Sequence, residues 1–137
     1  MKEITVLTMN RVGALADVAE ALGNNGINID SISAQSFKDM GVIRIITSDE
    51  KSAMHALMKM AAVKEGFEIK LGDVIIVSIP DKPGELAKIA KKIARAGINI
   101  ECIYQLKRDH EVQVVIKPEK LEDAVSTLKK NGVNVKV

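Results

Sequence analysis

The sequence predicts an α+β fold of two tandem βαββαβ units, and three observations carry that prediction. A turn motif, Asn10-Arg11-Val12-Gly13-Ala14-Leu15-Ala16, recurs as Asp81-Lys82-Pro83-Gly84-Glu85-Leu86-Ala87, with its glycine displaced by 71 residues. A second motif, Gly26-Ile27-Asn28-Ile29, returns as Gly97-Ile98-Asn99-Ile100 at the same offset of 71 residues. Ile4, Val6, Ala19 and Ile32 also meet identical residues at that offset, as Ile75, Val77, Ala90 and Ile103. Third, strand-like and helix-like segments follow one another in the same order in both halves. An ungapped match through a helix-length stretch defines two copies, about 1–71 and 72–137.

Each element has a local reason. Ile4 to Met9 has the β-branched content and length of a strand, and a turn follows at Asn10 to Gly13. From Ala14 to Asn25, apolar residues at Leu15, Val18, Ala19 and Leu22 form the i, i+3, i+4, i+7 stripe of an amphipathic helix. Gly26 ends it, where a left-handed residue is wanted. Ile27 to Ser36 and Val42 to Thr47 read as the second and third strands. Asp49 is suited to cap a helix through Val63, and Phe67 to Leu71 supplies the fourth strand. The second copy gives Val74 to Ile79, Glu85 to Ala96, Ile98 to Leu106, Val112 to Ile116, Glu119 to Lys130 and Val133 to Val137.

With right-handed crossovers and one hairpin between strands two and three, this order forms an antiparallel sheet with both helices on one face, the ferredoxin-like arrangement. Units of about 70 residues have marginal cores of their own, which favours their packing together. Gly72-Asp73 alone joins them, with no Pro- or Ser-rich linker. In the second strand, Ile27 and Ile29 share a face while Ile32 does not, and Ile98, Ile100 and Ile103 repeat the change. A β-bulge is therefore expected near Asp30-Ser31 and near Glu101-Cys102.

Composition narrows the function. The 137 residues are 47% hydrophobic and 28% charged, a globular balance, with a formal net charge of +2. That near-neutrality supplies no electrostatic argument for nucleic acid or membrane, and 2% aromatic residues cannot furnish the exposed rings of an RNA-binding sheet. No apolar run approaches the length of a signal-peptide core or a membrane span. Cys102 is the only cysteine, which leaves no intrachain disulfide or CxxC pair and fits a reducing cytoplasm. His55 and His110 lack companions at metal-ligand spacing, and no motif calls for a cofactor. The methionines at 54, 58 and 60 read as core and interface filling, and the basic run Lys88, Lys91, Lys92 and Arg95 as a solvated face or a docking surface for an acidic partner.

The turn before each first helix is where chemistry is expected. Asn10 or Asp81 is suited to cap the helix, and Gly13 or Gly84 lets a ligand approach the backbone. First-turn amides around Val12 to Leu15, and around Glu85 and Leu86, would face a carboxylate or phosphate with the helix dipole assisting. Asn28 and Asn99 add a donor and an acceptor at the start of the next strand. Ordinary cap, turn and strand-start roles would account for the same residues. Asp81 would oppose a carboxylate that Asn10 and Arg11 tolerate, so the two loops are expected to differ in affinity.

Asp81-Lys82-Pro83-Gly84-Glu85-Leu86 followed by Gly97-Ile98-Asn99-Ile100 resembles the ACT domain, a βαββαβ module that regulates metabolism by binding amino acids. Asn10-Arg11-Val12-Gly13-Ala14-Leu15 with Gly26-Ile27-Asn28-Ile29 is similar, with Val12 where the motif has proline. The resemblance covers the whole chain as two modules with no attached enzyme. It implies ligand sites where modules pair, between the first loop and helix start of one and the second strand of another. Carried over, these involve Asn10, Val12, Gly13, Ala14, Leu15 and Asn28, and equally Asp81, Gly84, Glu85, Leu86 and Asn99. A regulatory amino-acid-binding protein acting on a metabolic enzyme or on its own homo-oligomer is the leading expectation. A scaffolding subunit with vestigial sites and a small acylphosphatase-like hydrolase are the alternatives. The hydrolase would need an arginine-and-asparagine phosphate cradle that neither loop carries.

Overall fold

The computed structural model describes residues 1–137. The elements run β1 (Lys2–Met9), α1 (Ala14–Gly23), β2 (Ser31–Phe37), β3 (Met40–Ile46), α2 (Glu50–Val63) and β4 (Phe67–Asp73), then β5 (Ile75–Pro80), α3 (Glu85–Arg95), β6 (Ile100–Arg108), β7 (Glu111–Pro118), α4 (Leu121–Lys130) and β8 (Asn134–Lys136). They build two four-stranded antiparallel sheets, ordered β2-β3-β1-β4 and β6-β7-β5-β8. The expected α+β fold of two ferredoxin-like βαββαβ units is thus observed. Lys2–Gly72 forms one compact unit, and Asp73–Val137 with Met1 the other.

Each unit carries its own core. Alternate residues of β1 and β3 (Ile4, Val6, Ile43 and Ile45) pack on Val18 and Leu22 of α1 and on Ala53, Ala56 and Leu57 of α2. In the second unit Ile75, Val77, Val114 and Ile116 meet Ile89 and Ile93 of α3 and Ala124 and Leu128 of α4. Period 2 in the strands and period 3.6 in the helices bring these residues to one layer. The first unit also buries Glu3, whose carboxylate accepts hydrogen bonds from Arg44 Nη1 at 2.9 Å and Thr5 Oγ1 at 3.1 Å. No helix is long and apolar enough to cross a membrane.

The helix ends follow the local signals with small shifts. α1 stops at Gly23, and Gly26 takes φ 69° while the Ile27 N–H donates to the Leu22 carbonyl at 3.0 Å. This six-residue closure satisfies a carbonyl that the helix leaves open. Asp49 caps α2 as expected, accepting from the Ser52 N–H at 3.2 Å. α4 begins at Leu121 rather than Glu119, with no side-chain cap.

The second strands need correction. Ile27 to Asp30 is not strand: β2 begins at Ser31 and its pairing with β3 is regular, so there is no bulge within the strand. The change of face falls in the lead-in, where the Asp30 N–H donates to the Ile46 carbonyl at 2.9 Å. In β6 the expected bulge is present between Ile100 and Cys102. A second register shift, between Gln105 and Lys107, was not expected.

Candidate functional site

The loop after β1 is fastened to the neighbouring hairpin. The Asn10 N–H donates to the Asp39 carbonyl at 2.7 Å, and Asn10 Nδ2 lies 3.4 Å from the Lys38 carbonyl. Asn10 therefore does not cap α1, contrary to expectation. The cap position is Gly13, at φ 87°, and no side chain bonds the first turn. A left-handed residue without a side chain turns the backbone here while leaving the first-turn amides uncovered. Arg11 is held from three sides. Its Nη2 donates to Asp17 at 2.8 Å, its Nη1 is 3.4 Å from the Val12 carbonyl, and its guanidinium carbon lies 5.0 Å from the centre of the Phe67 ring. Lys64 also donates to Asp17 at 2.8 Å. These hydrogen bonds, Lys64 first and Arg11 second, hold the Asp17 carboxyl below its ordinary pKa.

Beside this loop, on the helix-covered face of the sheet, lies an open cavity of about 220 Å³. Small residues create it. Gly41 of β3 pairs with Thr8 on one side and Ser36 on the other, and Ala34 sits opposite Ile43. Ala14 and Leu15 of α1 form a wall, with Asn10 and Arg11 at the mouth. Around the same end, Met9, Val12 and Phe37 are exposed at 62%, 100% and 75%.

The second loop has the same backbone and different contents. Gly84, at φ 85°, again precedes the helix without a side-chain cap. Asp81 is not a cap either: its Oδ2 accepts from Arg108 Nε at 2.9 Å and Nη2 at 2.7 Å. The negative charge expected to repel a carboxylate is therefore matched by a cation. Where the first unit has Thr8, Ser36 and Gly41 across three strands, the second has Ile79, Arg108 and Val112 in the equivalent pairing. A cavity of about 280 Å³ lies on the other side of α3: it runs from Ile79, Pro80 and Glu85 at the start of that helix to the α4–β8 turn, with Lys88, Lys92 and Asn134 in its lining.

Among the residues expected to form the sites, Asn10, Val12, Gly13, Ala14 and Leu15 are contiguous, and Asn10, Ala14 and Leu15 line the cavity. Asp81, Gly84, Glu85 and Leu86 form the corresponding loop. Asn28 and Asn99 lie elsewhere. β1 and β2 both pair antiparallel with β3, so the start of β2 is at the far end of the sheet from the loop. The 10 residues of α1 separate them by about 15 Å. There the Asn28 carbonyl accepts from Thr47 Oγ1 at 2.9 Å, and Asn99 Nδ2 donates to Glu119 at 3.2 Å. Within one unit, loop and asparagine cannot grip one small ligand. Thr8, Ala34, Ser36 and Gly41 were missed in the sequence, and so was Arg108. Comparing the hairpins of the two repeats was the signal that could have found them.

Two sheets of this topology, each with a glycine turn before its first helix, define a tandem ferredoxin-like protein. The ACT domain profile matches residues 2–65, and a second ACT domain profile matches residues 74–136. The chain belongs to the ACT domain family. Among solved structures, a protein from Bacteroides thetaiotaomicron is similar at 29% identity and a TM-score of 0.86, over 98% of this chain and 90% of that one. The ligand-free regulatory subunit of aspartate kinase from Thermus thermophilus is similar at 25% identity and TM-score 0.70, over 94% and 91%. Its counterpart from Thermus flavus matches at 25% identity and TM-score 0.66, over 94% and 90%. No functionally curated protein matches significantly in sequence. Family and neighbours point to a regulatory, ligand-binding role rather than a catalytic one.

Proposed function

We propose that this chain is an amino-acid sensor built of ACT modules 1–71 and 72–137, which passes its ligand state to a metabolic enzyme or to its own homo-oligomer. The observation that carries this reading is the uncapped first turn of α1 beside a cavity of about 220 Å³. Backbone amides at a helix start suit a carboxylate, and the adjoining space suits a short side chain. The ligand would sit where modules pair. The exposed apolar rim of Met9, Val12 and Phe37 supports a second surface closing over this end. Asn28 or Asn99 of a facing module would then complete the recognition of the amino group and carboxylate. Ligand favouring one arrangement of modules over another is sufficient for regulation by linkage.

The test is a thermal-shift panel of the proteinogenic L-amino acids at millimolar concentration. Ligand at a hundredfold excess over Kd stabilises by about 2.7 kcal/mol, which displaces Tm measurably. Asn28→Ala should weaken the shift without altering the Tm of the free protein. No shift with any amino acid would sink the reading. Solution mass with and without the active compound separates a sensor acting through its oligomer from a constitutive scaffold.

A further inference from the structure

The clefts between first loop and β-hairpin are not equally open in the two modules, and the difference is built into the hairpin itself. In the first module Ser36, Gly41 and Thr8 lie side by side across β2, β3 and β1, leaving the cavity between the sheet and α1. In the second, Ile79 replaces Thr8 and Val112 replaces Gly41. The bulge between Gln105 and Lys107 inserts one residue into β6, so Arg108 rather than Lys107 pairs with Val112 and takes the place of Ser36. The Arg108 guanidinium then spans the mouth to Asp81, the counterpart of Asn10, through two hydrogen bonds to one carboxylate oxygen.

We infer that the chain binds one amino-acid ligand per polypeptide, in the first module, and that Arg108 and Val112 hold the equivalent cleft of the second module closed. This rests on the amino-acid-binding reading above and adds to it the stoichiometry and the residues that set it. Four of the second module's residues do to their cleft what a ligand would do: Ile79 and Val112 narrow the floor and the Arg108–Asp81 pair covers the entrance. A competing ligand would have to displace that pair and would still find the floor narrowed.

The experiment is isothermal titration calorimetry of the full chain with whichever proteinogenic L-amino acid gives the largest thermal shift. Three proteins are compared: the natural sequence, Ser36→Arg, and the double variant Arg108→Ser with Val112→Gly. The expected stoichiometries per chain are one, none, and a value rising toward two. Arg108 is a solvent-accessible side chain, so Arg108→Ser alone serves as a folded control if the double variant melts early. It should open a weaker second site while the first keeps its affinity, and a folded Arg108→Ser protein with one unchanged site and no second would overturn the assignment of Arg108 as the cover. Two equivalent sites in the natural protein would overturn the inference while leaving the sensor reading intact. So would unchanged binding by a folded Ser36→Arg protein, or a folded double variant that still binds once. Failure of the whole amino-acid panel would instead remove the sensor reading, and this inference with it.

Discussion

The β1–α1 loop of the first module and the β5–α3 loop of the second share a backbone and differ in what surrounds it. Both place a left-handed glycine, Gly13 at φ 87° and Gly84 at φ 85°, before a helix that no side chain caps. Around the first, Asn10 and Arg11 stand at the mouth of the cavity and each bonds to a different neighbour. Arg11 is drawn to Asp17 and Phe67, and Asn10 to the hairpin backbone, so the space between Thr8, Ser36 and Gly41 stays open. Around the second, Arg108 and Asp81 satisfy one another across the mouth. The comparison teaches that a repeat can keep the backbone of its turn while side chains decide which copy leaves a cleft beside it.

Four measurements would break or sharpen that comparison. If the modules differ in their clefts and not in how they fold, matched core truncations should cost alike. Leu22→Ala and Ile93→Ala remove fully buried side chains at equivalent positions. Each should destabilise its module by about 2–5 kcal/mol in urea titrations. A large inequality would mean that the cores differ as well. The next effect tests the shared backbone. A Cβ at Gly13 or Gly84 meets nothing within 4 Å, so Gly→Ala at either position carries conformational strain alone. About 1–2 kcal/mol is expected at both, read from chemical denaturation.

A smaller effect belongs to the pair that distinguishes the second module. Arg108 and Asp81 are 60% and 43% exposed, so Asp81→Asn should cost less than about 1 kcal/mol and lose its effect in high salt. A larger, salt-insensitive loss would show the pair to be structural rather than a cover. The smallest effect is confined to acid and to the first module. Hydrogen bonds from Lys64 and Arg11 hold the Asp17 carboxyl below its ordinary value of 3.8 in the fold. A depressed folded-state pKa gives stability that is complete above the ordinary value and is lost as pH falls through the folded one. Melting curves of the natural protein should therefore fall more steeply below pH 3.8 than those of Asp17→Asn, and parallel curves would refute the contribution.

Much of the architecture was legible because it depends on local chemistry. The period-2 and period-3.6 patterns placed the strands and helices, and Gly26 and Gly97 marked helix ends where six-residue closures form. The Asp49 cap was readable from one side chain and its neighbour three residues on. The glycine turns were readable too, but the roles of Asn10 and Asp81 were not. A side chain near a helix start chooses between the helix amides and any other partner, and here the hairpin carbonyls and Arg108 offered one. The parity change at Ile32 was visible, yet whether it becomes a bulge or a delayed strand start depends on where β3 begins to pair.

What the sequence determined by itself is the doubled βαββαβ order, the two glycine turns and the membership that follows from them, since these rest on spacing and backbone preference. Only the tertiary structure decided which cleft is open. At the constant offset of 71 residues Ser36 would align with Lys107, and it is the bulge in β6 that brings Arg108 there instead. The structure likewise decided that Asn28 lies a helix length from its loop, because two strands parallel to one another begin at the same end of a sheet. Register and strand direction are properties of pairs of segments, and no single segment carries them.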